Sequence, residues 1–282
     1  MIARPFGPTG ANVPIVGQGS WNIPTRGAAA DEATRALRAG IECGMVHLDT
    51  AEMYGDGAAE ELIGAAIRGL PRERLFIVSK VLPSNASFAG TIAACDRSLA
   101  RLGIEYLDCY LLHWRAMTPL RETMRAFELL VAGGKIRALG VSNFDVDDLE
   151  EARNALEREP LACNQVLYHL NERTIEDHEL LYARRHDIAT VAYTPFGRGA
   201  YERSAGYPAL VAIAKRCGAT PRQVVLAFLA RFADTFVISK AASAAHAREN
   251  AAAGDLQLTE ADVAAIAQAY PAGRRRGGLP SI

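Results

Sequence analysis

Eight times along this chain a short β-branched or apolar run precedes an amphipathic stretch rich in Ala, Leu, Glu and Arg. The strand-like runs are 14–19, 45–49, 75–80, 107–113, 136–143, 162–168, 188–194 and 235–240. Helix-like segments lie near 30–43, 58–68, 89–102, 119–132, 146–157, 175–185 and 208–231, the last split at Ala219-Thr220-Pro221. After the eighth run come 244–252 and a helix from about 260, opened by Thr259 and first-turn acids. Strands apolar on both faces and separated by helices predict a parallel sheet covered by helices. Eight such units close a barrel, whereas an open dinucleotide-binding sheet wants an early Gly-x-Gly-x-x-Gly leading into a helix. Gly17-Gln18-Gly19 leads into Ser20-Trp21-Asn22 instead. The expectation is one (β/α)8 TIM barrel domain over 1–282, with a short hairpin over 1–13 and an extra C-terminal helix.

The 282 residues exceed the roughly 250 of such a barrel only slightly. Thirty-one basic residues against 32 acidic ones leave a net charge of -1, which speaks against a nucleic-acid partner. The basic run Arg274-Arg275-Arg276 reads as a solvated tail. No segment approaches the roughly 18 apolar residues of a membrane span, and Met1 opens no charged-then-apolar leader. Cys43, Cys95, Cys109, Cys163 and Cys217 form no Cys-x-x-Cys, and their mostly apolar settings predict buried free thiols in a cytoplasmic protein. No metal-ligand spacing is present, so no metal is expected.

Chemistry in such barrels sits at the carboxyl ends of the strands. Here the exits carry Asp49, Lys80, His113, Ser142-Asn143, Gln165, Tyr193 and Lys240. Capping or packing explains Asp49, His113 or Ser142-Asn143 taken singly. It does not explain Lys80 and Lys240, two of only four lysines in an Arg-rich chain, each following a Ser at the end of an apolar run. Lys80 has two chemical uses. A buried amine of lowered pKa forms Schiff bases; a charged ammonium paired with Asp49 tunes a third group. Tyr54, five residues beyond Asp49, is that third group, because a nearby cation favours the phenolate.

The runs Asp49-Thr50-Ala51-Glu52-Met53-Tyr54-Gly55 and Glu60-Glu61-Leu62-Ile63-Gly64 resemble the signature of the aldo-keto reductases. So do Ser79-Lys80-Val81, Leu111-Leu112-His113-Trp114, Gly140-Val141-Ser142-Asn143-Phe144, Asn164-Gln165-Val166, Ala192-Tyr193-Thr194-Pro195-Phe196 and Ile238-Ser239-Lys240. With Glu249-Asn250 the resemblance spans essentially the whole chain, and it looks closest to the short bacterial diketogulonate-reductase-like branch.

The resemblance implies a catalytic tetrad of Asp49, Tyr54, Lys80 and His113, with NADPH delivering hydride to a carbonyl carbon while Tyr54 protonates the oxygen. It places the nicotinamide against Ser142, Asn143, Gln165 and Tyr193, its ribose near Gly19 and Ser20, and counts Asp49 among the cofactor contacts. The loop through Thr194, Pro195, Phe196 and Gly197 would face the pyrophosphate, Glu249 and Asn250 the adenine, and Lys240 the 2′-phosphate. His246 stands where relatives often carry an Arg, so NADH is a weaker alternative cofactor. Trp21, Leu82 and Trp114, with Tyr54 and His113, are the expected substrate contacts. The short loop after His113 predicts an open pocket for small aldehydes and α-dicarbonyl or sugar-derived carbonyls, in a monomer. Two other readings share the scaffold: a cofactor-binding regulatory subunit, and a Schiff-base lyase using Lys80.

Overall fold

The alternation seen in the sequence closes on itself in space. The computed structural model describes residues 1–273, 275 and 277–281. A hairpin comes first, β1 (Ala3–Pro5) and β2 (Asn12–Pro14), paired antiparallel with Ala3 opposite Pro14. Then follow β3 (Val16–Gly19), α1 (Gly27–Glu42), β4 (His47–Asp49), α2 (Ala58–Ile67), β5 (Phe76–Val81) and α3 (Phe88–Leu102). Next come β6 (Cys109–Leu112), α4 (Leu120–Ala132), β7 (Leu139–Ser142), α5 (Val146–Ala155), β8 (Leu161–Leu167), α6 (Glu179–Arg185) and β9 (Ala189–Tyr193). The chain continues through α7 (Tyr207–Cys217), α8 (Pro221–Leu229), β10 (Thr235–Ser239), α9 (Ala244–Ala252) and α10 (Glu260–Ala269). Strands β3 to β10 pair in parallel and in chain order, and β10 returns to β3 to close the barrel.

Local signals set most helix ends. Thr220 caps α8 reciprocally with Gln223, and Thr259 caps α10 with Asp262, the second as Thr259 and its first-turn acids anticipate. The expected helix over 175–185 is shorter. A 3-10 turn at Thr174–Asp177 precedes α6, and Glu176 is drawn into ion pairs with Arg173 and Arg231, both at 2.8 Å.

Period-2 alternation sorts the barrel interior into layers. Two residues below the exits lie Val78, Leu111, Cys163, Val191 and Ile238, which form one cluster with Phe76, Cys109 and Phe236. Helices pack on the outside in two other clusters. The hairpin plugs the floor. Phe6 sits 4.8 Å from Phe76 and 4.9 Å from Phe236, ring to ring, and edge-on to His47. The interior is therefore a packed plug under the exits, which leaves the upper rim as the place for a site.

Close packing makes Gly140 a sensitive point. A Cβ there would land 2.6 Å from Leu111 Cδ2 and 2.7 Å from Cys163 Sγ. Gly140→Ala is expected to cost about 1–3 kcal/mol, the usual range for overpacking. Urea unfolding should show a lower midpoint at unchanged slope; an unchanged midpoint would mean that the two side chains step aside freely.

Two expectations are corrected. Cys95, Cys109 and Cys163 are buried free thiols, but Cys43 is exposed and Cys217 half-buried, each near the end of a helix. Cys109 and Cys163, far apart in sequence, bring their sulfurs to 3.9 Å inside the barrel. In the tail, Arg275 is not simply solvated, since it pairs with the buried Glu179 at 2.7 Å. Arg274 and Arg276 lie outside the described residues.

Candidate active site

Asp49 ends β4 with its carboxylate buried, and both oxygens are occupied. Oδ1 accepts from Lys80 Nζ at 2.6 Å, and Oδ2 accepts from Gln165 Nε2 at 2.7 Å. Lys80 arrives from β5, wholly buried, and also donates to the Thr50 carbonyl at 2.8 Å and to the Tyr54 hydroxyl at 3.4 Å. Burial alone would push the Lys80 ammonium down, but Asp49 and then Tyr54 raise it above its ordinary value. Burial raises the Asp49 carboxyl, and Lys80 and Gln165 pull it back; two donors on two oxygens are the arrangement of a carboxylate. A charged, salt-bridged Lys80 is the opposite of the lowered-pKa amine that Schiff-base chemistry requires.

Tyr54 stands on the turn after β4. Burial raises its phenol above 10, Lys80 lowers it and Asp49 raises it again. Lys80 acts on Tyr54 in the expected direction, but desolvation outweighs the cation, and Tyr54 stays a protonated phenol. His113 lies beyond β6, its ring 5.6 Å from that of Tyr54 and edge-on. Burial and the Lys80 charge push its imidazole down to about 2, so it is neutral at any ordinary pH. The three groups can hold a proton, offer a hydrogen bond and stabilise a phenolate at one spot.

The rest of the rim is a bonded ring. Ser142 Oγ donates to the Gln165 carbonyl at 2.9 Å, and Asn143 Nδ2 donates to the His113 carbonyl at 3.1 Å. Tyr193 donates its hydroxyl proton to Asn143 Oδ1 at 2.7 Å, and Ser20 Oγ donates to the Asp49 carbonyl at 3.0 Å. Asn143 and Thr194 both take left-handed backbone, φ 59° and 54°, where the chain turns sharply off its strand.

These exits open into a cleft of about 360 Å³. Of the residues anticipated from sequence, it gathers Gly19, Trp21, Asp49, Tyr54, His113, Trp114, Ser142, Asn143, Gln165, Tyr193, Thr194, Pro195, Phe196 and Lys240. Ser20 lies in an adjoining crevice beside Tyr54. Gly197, His246, Glu249 and Asn250 stand outside the cleft wall. His246 is exposed in the first turn of α9, and Glu249 Oε1 accepts the Thr220 hydroxyl at 2.7 Å. Leu82 is also outside, its N–H held by Glu52 Oε1 at 2.8 Å. Asn22, Met53, Arg198 and Ile238 line the cleft without having been singled out. Ile238 was readable as the inward residue two before Lys240. Asn22 and Arg198 were not, because left-handed turns at φ 53° and 54° deliver them.

A long cofactor fits this rim on two observations. The cleft runs from the Asp49–Lys80 pair to the exposed Lys240, whose ammonium reaches the Asn22 carbonyl at 3.1 Å. Past Lys240, Asn250 is fully buried with neither amide atom bonded, a donor–acceptor pair of the kind that matches an adenine edge.

A closed eight-stranded barrel with an acid–base cluster at its strand exits defines a class of TIM-barrel enzyme. The Aldo/keto reductase family model matches residues 15–271, and the chain belongs to that family of oxidoreductases. It is 40% identical over 273 residues to the methylglyoxal reductase YeaE of Escherichia coli, covering 96% of each chain. Among solved structures, an aldo-keto reductase from Klebsiella pneumoniae in complex with NADPH superposes with a TM-score of 0.92 at 41% identity, covering 100% of both chains. A 2,5-diketo-D-gluconic acid reductase B, described as putative, matches at 0.86 and 32% identity over 100% of this chain and 96% of its own.

Proposed function

We propose that this chain reduces small aldehydes and α-dicarbonyls to alcohols with NADPH, as one barrel domain working as a monomer. The observation that carries the reading is the convergence of a protonated Tyr54, a neutral His113 and the Asp49–Lys80 pair at the floor of one cleft. NADPH, when bound, supplies the hydride. Tyr54 holds the proton at its hydroxyl and gives it to the carbonyl oxygen. Lys80, kept charged by Asp49, stabilises the phenolate left behind, and His113 donates a hydrogen bond that orients the carbonyl. Asn143, Gln165 and Tyr193 form the wall on which the nicotinamide would lie, with Ser20 and Gly19 below it. Trp21, Met53 and Trp114 give that wall an apolar partner suited to a small carbon skeleton. The likeness to a methylglyoxal reductase supports α-oxoaldehydes as the substrate class. Free cysteines, and no membrane-crossing helix among the described residues, support a cytoplasmic setting.

The test pairs turnover with nucleotide binding. NADPH oxidation should be seen with methylglyoxal-like α-oxoaldehydes within a panel that includes simple aldehydes and sugar-derived ketones. No oxidation with any of them would remove the reductase reading. In titration calorimetry NADPH should bind more tightly than NADH, because Lys240 offers the 2′-phosphate a charged hydrogen bond worth about 1.5–3 kcal/mol. Equal affinities for the two nucleotides, untouched by Lys240→Ala, would sink the 2′-phosphate assignment.

A further inference from the structure

The contact between Tyr54 and Lys80 is long, 3.4 Å from hydroxyl to ammonium, so it does not hold itself in place. The turn that carries Tyr54 is also under strain. Gly55, Asp56 and Gly57 follow one another in left-handed backbone at φ 59°, 54° and 92°, and Asp56 gets there without the freedom of a glycine. Something outside the turn must over-determine it.

Two buried carboxylates do so, one on each side of the turn. Before it, Glu52 Oε1 accepts from the Leu82 N–H at 2.8 Å and from Asn85 Nδ2 at 2.9 Å, while Oε2 accepts from Arg97 at 3.2 Å. After it, the fully buried Glu60 accepts the Ser79 hydroxyl at 2.6 Å on one oxygen and Arg101 at 2.9 Å on the other. Ser79 and Leu82 bracket Lys80 on β5 and just past it. Arg97 and Arg101 are one helical turn apart on α3, hence on one face. Arg101 also lies against the turn itself, since a Cβ on Gly57 would meet its Nε at 2.4 Å. The backbone adds one tie, from the Glu52 N–H to the Lys80 carbonyl at 3.3 Å.

We propose that Glu52–Arg97 and Glu60–Arg101 are paired positioning residues that hold the Tyr54 hydroxyl at working distance from the Lys80 ammonium. The proposal rests on the reductase reading for its catalytic meaning, though not for its geometry. Neither carboxylate touches the reacting groups. The groups that face Tyr54 are Lys80 from β5, Asp49 from β4 and His113 beyond β6, and the clamps act on it only through distance. A shift of about 1 Å between reacting groups can cost 10²-fold in rate, so loosening the clamps falls on the chemical step. Nucleotide binding is spared, because Glu52, Glu60, Arg97 and Arg101 line no part of the cleft.

The experiment compares Arg97→Met/Arg101→Met and Glu60→Gln with the wild type. It reads kcat and KM across pH, NADPH affinity by fluorescence, and the titration of Tyr54 by NMR of labelled tyrosine, assigned with Tyr54→Phe. The expected result is a kcat lower by about tenfold or more, with NADPH affinity within about twofold. Tyr54 should titrate at higher pH, because the lowering influence of Lys80 fades with distance. Arg97→Lys/Arg101→Lys should recover most of the rate. Folded variants with wild-type kcat and an unchanged Tyr54 titration would overturn the proposal, and so would equal losses in kcat and in nucleotide affinity. Should the double Met variant not fold, Glu60→Gln decides on the same readouts. If the wild type reduces no carbonyl, the reductase reading fails, and the Tyr54 titration alone still decides on the clamps.

Discussion

Tyr54→Phe is expected to lower kcat by about 10²-fold or more while NADPH affinity hardly changes. The ring, its edge-on contact with His113 and its packing all remain, and only the hydroxyl goes. His113 cannot take over as the acid, because its imidazole, pushed down to about 2, carries no spare proton at neutral pH. Steady-state kinetics with an α-oxoaldehyde, together with NADPH titration of the same variant, check this. Near-normal turnover in the Phe variant would show that another group protonates the oxygen.

Lys80→Met should abolish reduction for a different reason. Tyr54 keeps its proton in the resting protein because burial outweighs Lys80, so the ammonium matters most when the phenolate forms. Without it, that phenolate would face Asp49 with no cation between. Breaking a buried ion pair costs about 3–5 kcal/mol by leaving a charge unmatched, so the variant is expected to be less stable. Lys80→Met/Asp49→Asn removes the orphan charge and provides a folded reference. Both should still bind nucleotide. Borohydride added to the wild type with an aldehyde should leave no substrate mass on Lys80; an adduct there, seen by mass spectrometry, would reverse the assignment of a permanently charged lysine.

Much of this was legible before folding, because the information is local. Hydrophobic periodicity marks all eight strands, Ala219-Thr220-Pro221 marks the split between α7 and α8, and Thr220 and Thr259 cap their helices through bonds a few residues long. The period of two within a strand, added to the rule that barrels work at their carboxyl ends, places Asp49, His113, Gln165, Tyr193 and Lys240 on one rim, with Lys80 buried against Asp49. Polar residue types in apolar runs were the signal, and no long-range knowledge was needed to read them.

The remainder depends on barrel closure and burial, which no window of sequence contains. Closure brings Cys109 within 3.9 Å of Cys163 across the strand that carries Gly140, and it leaves Leu82 outside the cleft while Arg198 and Asn22 enter it. The same closure sets Glu52 and Glu60 astride Tyr54, two acids inside the signature runs to which the sequence assigned no role. At Tyr54 the residue types alone put a cation beside the phenol, and only the depth of both groups made desolvation outweigh it.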